Sequence, residues 1–328
     1  MKKVINLIIA FLLIISALSV KAQPVPSIDE NILALITFGK EAETSWGDDD
    51  FVQIIFFSVP ESHQGAIYFR VFDPDIGGTF DEQKGAWDTR MTYSIFGGKG
   101  ACSNKDAQKI KRDGNYKSGT MLASKTFRED AAYDGKWYSF GPFNPTEGEL
   151  LPDYGGYVFK FICEGGAGDD GNMYTLFLST DPNQNRNVEG AFAFYYKYKF
   201  RLHDNVNEVS HIYPYIDERV ISIKQSNFDW DDDGILRIIS PSKNGEKMSV
   251  SGDNVWATSI HNISKDDINS SLDIQMIKDK VKTIKNNNVV MYLENQYGEL
   301  MPFYSIPIGG VPKYKYSIGI KPKQKEKQ

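Results

Sequence analysis

The clearest strand pattern in this chain is residues 191–201, which read AFAFYYKYKFR. Alternate positions carry aromatic rings, and the intervening positions of the second half are basic: Phe192, Phe194, Tyr196, Tyr198 and Phe200 against Lys197, Lys199 and Arg201. Successive side chains of a strand point to opposite faces of its sheet. The pattern therefore predicts one strand that buries an aromatic face in a core and turns a basic face to water.

The same period of two recurs along most of the chain. It predicts strands at 51–59, 66–72, 91–96, 156–164 and 173–179, and further strands at 219–224, 235–239, 255–260, 289–293 and 300–306. Strands with one buried face pack as two layers around a common core. The sequence therefore predicts a mainly β protein built from two antiparallel β-sandwich-like modules.

The predicted modules are residues 23–204 and 205–312, which meet at a polar connector after the long aromatic strand. Residues 98–136 are polar and rich in lysine, which predicts a long exposed excursion in the first module. One helix competes with strands in the second module, because four residues keep helical spacing there: Ile274, Ile277, Val281 and Ile284.

Both ends of the chain differ from its body. Residues 1–22 combine Lys2 and Lys3, an apolar run and small residues before Gln23, a pattern typical of a cleaved export signal. No later apolar run reaches about 18 residues, so no transmembrane segment is predicted after signal cleavage. Residues 313–328 are rich in lysine, which predicts a basic disordered tail. We expect an exported protein, and the lack of a clear C-terminal sorting domain favours the periplasm over the exterior.

Charge and motifs argue against two classes of function. Three of the 37 basic side chains precede Gln23, which leaves 34 against 43 acidic ones and a formal charge of −9. Such a surface repels phosphate backbones, so nucleic acid is a poor partner. The sequence holds no zinc-protease, serine-hydrolase or phosphate-loop motif, and it has only four histidines. A non-catalytic role is therefore expected.

Two acidic turns are candidate metal sites. The first contains Asp229, Asp231 and Asp233 before Gly234, and it fits the opening of a calcium loop, in which alternating carboxylates surround one ion. Position twelve of that loop is Ser240, where a bidentate glutamate is expected, and the flanking residues favour strands. A calcium-binding hairpin turn and a solvated acidic turn both remain open.

The second acidic turn follows the strand predicted at 66–72. Asp73, Asp75 and Asp81 surround a glycine pair that lets backbone carbonyls approach an ion. The acids at 48–50 and 169–170 lie at other strand ends and could close the same site. The alternative is a polar turn whose acids meet only water. Both interpretations predict an exposed loop.

The cysteines and tryptophans give further candidate sites. Cys102 and Cys163 can pair in an oxidising compartment, or they can be two independent buried thiols. Several tryptophans lie at loops or strand edges, where an exposed ring can stack on a sugar or anchor a protein partner. The candidates for such binding aromatics are Trp46, Trp87 and Trp230.

A resemblance adds to these expectations. The segments 56–75, 156–159 and 174–176 are similar to pre-peptidase C-terminal β-sandwich domains, and the similarity covers at most residues 45–203. That family implies a non-catalytic, often calcium-binding accessory domain of secreted bacterial proteins. The N-terminal segment and the aromatic-rich style also resemble exported Bacteroidetes proteins, including accessory subunits of the type IX secretion translocon.

These observations lead to one functional hypothesis and one alternative. The hypothesis is a calcium-stabilised, non-catalytic binding protein that serves as an accessory subunit of a cell-envelope secretion or surface assembly, with a protein partner in the outer membrane or periplasm. The alternative is an exported protein that binds or degrades glycans. Paired carboxylates for glycan hydrolysis leave no mark in a sequence, since they pair only in space.

Overall fold

The computed structural model describes residues 24–109, 113–278 and 287–316. Its strands are β1 Ala34–Phe38, β2 Val52–Pro60, β3 Ile67–Phe72, β4 Arg90–Gly97, β5 Thr120–Phe127, β6 Trp137–Phe143, β7 Glu149–Leu151, β8 Gly156–Ala167, β9 Gly171–Ser179, β10 Phe192–Tyr195, β11 Lys197–Arg201, β12 Val209–Ile216, β13 Ser222–Phe228, β14 Gly234–Ile239, β15 Asn244–Lys247, β16 Trp256–Asn262, β17 Ser270–Ser271, β18 Asp273–Lys278, β19 Asn288–Asn295, β20 Leu300–Met301 and β21 Phe303–Tyr304. Short 3-10 helices span Ile28–Glu30, Thr44–Trp46, Lys105–Gln108, Pro145–Glu147, Pro152–Tyr154 and Lys265–Asp267.

The strands form two open antiparallel sheets. The nine-stranded sheet has the order β16-β13-β19-β11-β1-β9-β3-β6, with β20 beside β19. The twelve-stranded sheet has the order β15-β14-β18-β12-β21-β10-β2-β8-β4-β5, with β17 beside β12 and β7 beside β8. The predicted mainly β class is confirmed, and the arrangement is that of a β-sandwich.

One hydrophobic core lies between the sheets. It contains inward-facing residues of the nine-stranded sheet, such as Leu35, Tyr198 and Leu293, and of the twelve-stranded sheet, such as Phe57 and Ile274. Each such side chain stabilises the fold by about 1.5–3 kcal/mol when it is fully buried. β19 pairs with β11 on one side and β13 on the other, so strands from before and after residue 204 belong to the same sheet.

Residues 191–201 do not form the single strand that their pattern predicts. The chain leaves β10 in the twelve-stranded sheet and enters β11 in the nine-stranded sheet, with Tyr196 between them. Phe194 and Tyr196 pack with Phe56 on the outer face of the twelve-stranded sheet, whereas Tyr198 belongs to the core between the sheets. The aromatic residues therefore serve two different faces, because the strand changes sheet partway along its length.

The basic side of this segment does not face water either. Lys199 is fully buried and Lys197 is 8% exposed. The turn at 48–50 folds over both lysines and supplies three carboxylates, of which Asp49 lies 2.6 Å from the Lys197 ammonium. The prediction of a solvated basic face is wrong, because the partners that cover it come from a segment about 150 residues earlier in the chain.

Two further expectations are corrected. The segment predicted as a helix contains β18, whose buried Ile274 and Met276 alternate with half-buried Gln275 and Ile277 and which pairs with β12 and β14. Residues 281 and 284 lie outside the described part of the chain. The excursion at 98–136 contains β5, an edge strand that the sequence does not reveal because most of its side chains are exposed or half-buried.

Candidate functional site

The turn after β3 holds three of the predicted metal-binding aspartates close to the end of β9. Asp73 adopts a left-handed backbone conformation, with φ 57°, and its amide donates to the Lys136 carbonyl at 2.9 Å. The Asn172 side-chain amide of β9 donates to the carbonyls of Pro74 and Asp75. These bonds hold the turn against the end of the nine-stranded sheet.

The carboxylates of this turn are buried, which corrects the prediction of an exposed loop. Asp73 and Asp75 are each 1% exposed. Asp73 Oδ1 accepts from the Gly135 amide at 2.7 Å, and Asp75 Oδ2 accepts from the Asp130 amide at 3.1 Å. The second oxygen of each carboxylate is buried without a hydrogen-bond partner. A buried, unpaired carboxylate oxygen is costly unless a cation or proton compensates for it.

Asp81 has a different role from the one predicted. Its Oδ1 accepts from the Met173 amide at 2.7 Å, and its Oδ2 accepts from the Gly77 amide at 2.8 Å. Both oxygens are thus used to fasten the turn to β9. Asp73, Asp75 and Asp81 do not form a group of acids with oxygens within 4.8 Å of one another. The prediction that these three carboxylates converge on one ion is therefore wrong. The unpaired oxygens belong to Asp73 and Asp75.

The electrostatics of this turn disfavour its ionised form. Burial raises the pKa of Asp73 to about 6, and the charges of Asp75 and Asp134 add to this shift. The hydrogen bond from the Gly135 amide acts in the opposite direction. Burial also raises the pKa of Asp75 and, more strongly, that of Asp81. A cation in contact with the unpaired oxygens would reverse these shifts, since an opposite charge favours the ionised carboxylate.

The segment that covers the turn is the part that sequence reasoning missed. Residues 130–135 connect β5 to β6 and supply the amides of Asp130 and Gly135 described above. Asp134 also comes close, since a Cβ atom on Gly78 would lie 2.3 Å from its Oδ1. The available signal in the sequence was a group of acidic residues between two strands. These acids lie more than 50 residues from Asp73 and form no recognised motif, so the sequence does not connect them with that turn.

The second predicted turn brings together a different set of acids. Carboxylate oxygens of Asp229, Asp231 and Asp253 lie within 4.8 Å of one another. Burial, then the neighbouring charges of Asp231 and Asp253, raise the pKa of Asp229 to about 7, although the Asn254 amide opposes this shift. Asp229 and Asp231 thus lie together as predicted, and Asp253 lies beside them in the position expected for Asp233; their binding of an ion stays a prediction.

Asp233 is turned away from that group. It is fully buried, and its Oδ2 lies 2.5 Å from the ammonium of Lys278 in β18. The placement of Asp233 in the metal site is therefore wrong. The reason is the start of β14 at Gly234, which turns the preceding side chain toward the neighbouring strand of the twelve-stranded sheet.

Most of the other acids proposed to close the site make internal contacts, whereas Asp169 lies beside Asp88 and Asp170, with carboxylate oxygens within 4.8 Å of one another. Asp170 accepts from the amides of Lys84, Asp88 and Thr89 and from the Thr89 hydroxyl, so it anchors the loop before β4. The acids at 48–50 pair with the lysines of β11. Asp170 and the acids at 48–50 therefore hold the loops in which they lie to the rest of the structure.

The predicted binding tryptophans lie in unlike environments. Trp230 is 1% exposed and belongs to the main core, so its assignment as an exposed binding residue is wrong. Trp46 is half-buried against Phe38, and the Lys84 ammonium lies 4.1 Å above its ring. Trp87 is half-buried. Among the tryptophans, Trp256 of β16 is the one whose side chain reaches 39% exposure.

The two cysteines are free thiols, so of the two alternatives the structure favours two independent buried thiols over a disulfide. Cys163 lies in the core between the sheets, whereas Cys102 packs with Phe56 and Phe194 on the outer face of the twelve-stranded sheet. The sheet itself separates the two sulfur atoms. Burial raises the pKa of Cys102 to about 12, so little thiolate forms at neutral pH.

We therefore expect the native thiols to resist a maleimide reagent at neutral pH and both to react once the protein is unfolded in guanidinium. Adding a reductant should leave the melting temperature unchanged. Peptides of Cys102 and Cys163 joined by a disulfide in non-reducing mass spectrometry of the native protein would contradict this placement.

One histidine lies in an arrangement that resembles a hydrolase relay. His261 Nε2 lies 2.8 Å from Ser259 Oγ, and its Nδ1 contacts Glu246. The Ser259 oxygen also accepts from Gln225 Nε2 and from the Ser249 amide, each at 3.0 Å. A hydroxyl oxygen has two lone pairs, and both are occupied here. The network therefore ties β16 to its neighbours and presents no free nucleophile.

Comparison with known protein families and with curated protein sequences gives no match. The described residues contain no helix that is both long enough and apolar enough to span a membrane. Fold and site together define a mainly β, two-sheet protein with two acidic turns as candidate cation sites.

Proposed function

We propose that this chain is a non-catalytic, exported binding protein that serves as an accessory subunit of a secretion or surface assembly in the cell envelope. The observation that carries the proposal is the edge of the nine-stranded sheet at β16. Among the described strands, β16 pairs only with β13, and seven consecutive residues of the two strands are in register without a bulge. A long regular edge is a template for a strand from another protein.

The other strands that end the two sheets carry features that discourage such pairing. β6 contains Pro142, which lacks an amide donor. β15 has four residues and a register shift against β14. β5 also has a register shift against its neighbour and carries Lys125. Bulges, shortness, proline and lysine are the devices by which proteins protect their edges, and β16 has none of them.

Exposed apolar side chains accompany the β16 edge. Ile260 is 70% exposed, Val255 is 53% exposed and Ile221, at the adjoining end of β13, is 66% exposed. A partner strand laid beside β16 would pair its backbone and cover part of this apolar surface. The partner that fits is an extended segment of an outer-membrane or periplasmic protein.

The edge can be tested with Ile260→Lys in a pull-down of tagged protein from a cell-envelope extract. We expect this variant to recover at least tenfold less of the principal partner, because a charged side chain at a strand edge opposes pairing. Ile28→Lys is the matched control, since Ile28 is 79% exposed and belongs to a 3-10 helix that contacts β12 of the twelve-stranded sheet. Both substitutions should change the free energy of unfolding by no more than about 0.5 kcal/mol. Equal recovery by both variants would contradict the role of β16.

Calcium is the second part of the proposal. The unpaired oxygens of Asp73 and Asp75 are hard ligands within a group of like charges, which suits a hard divalent cation. Calcium sites of extracellular modules bind in the range of about 10⁻⁴–10⁻³ M, so such a site would be useful in an exported protein. Asp73 and Asp75 would hold the ion, and its charge would neutralise the turn.

A further inference from the structure

A cavity of about 430 Å³ opens on the outer face of the nine-stranded sheet. Its lining residues are Thr44, Asp49, Asp50, Phe228, Asn254 and Trp256. The first three belong to the loop that covers the centre of this face, and the others belong to β13, to β16 and to the turn before β16. A volume between about 300 and 1,000 Å³ is typical of sites for small organic ligands.

The floor of the cavity is an aromatic platform. The Trp256 ring is braced by Phe228, with ring centroids 5.1 Å apart, and by Tyr292, with centroids 5.3 Å apart. Phe228 is 4% exposed, whereas Trp256 keeps 39% of its surface in contact with solvent. The indole is therefore held in place by its neighbours while part of it stays open to a ligand. The electron-rich face of such a ring attracts the slightly positive C–H groups of a pyranose.

The Asn254 side chain is the hydrogen-bonding group that borders this platform. The Thr44 hydroxyl donates to Asn254 Oδ1 at 2.8 Å, which fixes the amide and leaves its Nδ2 as a donor for a ligand. Asp49 is held in the wall, since its Oδ2 lies 2.6 Å from the Lys197 ammonium and its Oδ1 is buried 3.6 Å from the Lys199 ammonium. A donor beside a flat ring matches a hydroxyl oxygen of a sugar.

The charges near the cavity decide which sugars fit. Asp49 and Asp50 are each paired with Lys197, so the wall has no surplus cation for an acidic ligand. The chain as a whole carries a formal charge of −6. Uronic-acid and sulfated glycans would meet repulsion, whereas a neutral sugar would meet only hydrogen-bonding groups.

We propose that this cavity is a binding site for a neutral saccharide, with Trp256 as its stacking platform and Asn254 as its hydrogen-bonding group. The site goes beyond the proposed role of β16, because it uses the outer face of the sheet and a different class of ligand. The small polar rim distinguishes it from a protein interface, whose centre is broad and apolar.

The test is a titration of the purified full-length protein with maltohexaose, cellohexaose, xylohexaose and mannohexaose. Binding is followed by tryptophan fluorescence and by the indole N–H resonances. We expect at least one of these neutral hexaoses to bind saturably and to shift the Trp256 indole resonance. Trp256→Ala should weaken that binding at least tenfold, Asn254→Ala should weaken it severalfold, and Trp256→Phe should keep part of it.

Tyr297→Ala is the matched control, because Tyr297 is an aromatic residue that is 72% exposed and does not line the cavity. This control and Ile260→Lys should both bind the sugar as the unaltered protein does, which separates this site from the β16 edge. The proposal is overturned if no hexaose shifts the Trp256 resonance at 10 mM, if Trp256→Ala binds equally well, or if polygalacturonate oligomers bind more tightly than neutral ones.

Discussion

Replacing Lys199 with methionine should lower the free energy of unfolding by about 3–5 kcal/mol, the usual cost of leaving a buried charge without its partner. Lys199 and Asp48 are both fully buried. The Lys199 ammonium contacts the carboxylates of Asp48 and Asp50, and it lies 3.6 Å from Asp49. Methionine keeps most of the volume of lysine but removes the charge, so the packing is preserved and the ion pair is lost.

The directions of the pKa shifts show how tightly these groups depend on one another. Burial disfavours the charged Lys199 ammonium, but the charges of Asp48 and Asp50 outweigh burial and raise its pKa. Burial raises the pKa of Asp48 in spite of the lysine. Burial also opposes the ionised form of the half-buried Asp50, yet Lys199 and Lys197 lower its pKa. Without the ammonium, Asp48 would be a buried carboxylate that must take up a proton.

Chemical denaturation of Lys199→Met at pH 7 measures this effect. Lys224→Met is the control, since Lys224 forms a 3.0 Å ion pair with Glu294 while its side chain is 43% exposed, and such a pair contributes at most about 1 kcal/mol. Adding Asp48→Asn to Lys199→Met should restore part of the lost stability, because it removes the unpaired charge. Equal losses for Lys199→Met and Lys224→Met would show that the buried network adds little.

The difference between the predicted and the observed structure of residues 191–201 has a physical explanation in this same network. Period-two alternation predicted most strands and the mainly β class, because burial of one face leaves that alternation in the sequence. It could not show that residues 191–201 change sheet at Tyr196, since both faces of the segment are covered. The basic residues looked solvated because their acidic partners at 48–50 are remote in the chain.

The candidate cation sites show the same limit. The acids that lie close together in sequence were found, but the segments that bury them were not: residues 130–135 cover Asp73 and Asp75, and Asp253 joins Asp229. Sequence spacing also does not distinguish acids that can bind an ion from acids that bind other groups of the protein. Asp81 and Asp233 have the right spacing, yet one binds backbone amides and the other binds Lys278.

The acidic turns predict a dependence of stability on both pH and calcium. In chelator, the free energy of unfolding should fall as the pH rises from 4 to about 7. The folded state raises the pKa of Asp73 to about 6 and that of Asp229 to about 7, against an ordinary value of 3.8. Between these values the folded state holds protons that the unfolded state has released, so stability is lost as the pH rises through the window.

Calcium should reverse this loss, because it binds the ionised carboxylates of the folded state. At pH 7.5, a calcium concentration one hundred times the dissociation constant should add about 2.7 kcal/mol. For a chain of this size that corresponds to a rise in melting temperature of about 4 °C. Melting curves measured from pH 4 to pH 8, in chelator and in millimolar calcium, should therefore separate as the pH increases.

Two matched double variants show which acidic turn is responsible for the calcium response. Asp73→Asn with Asp75→Asn should remove the calcium response of the first turn and, in chelator at pH 7.5, should be at least as stable as the unaltered protein, because two buried like charges are gone. Asp231→Asn with Asp253→Asn reports the second turn in the same way. If the unaltered protein melts at the same temperature in calcium and in chelator at pH 7.5, the unpaired oxygens of Asp73 and Asp75 do not hold the ion, and the turns are stabilised by protonation alone.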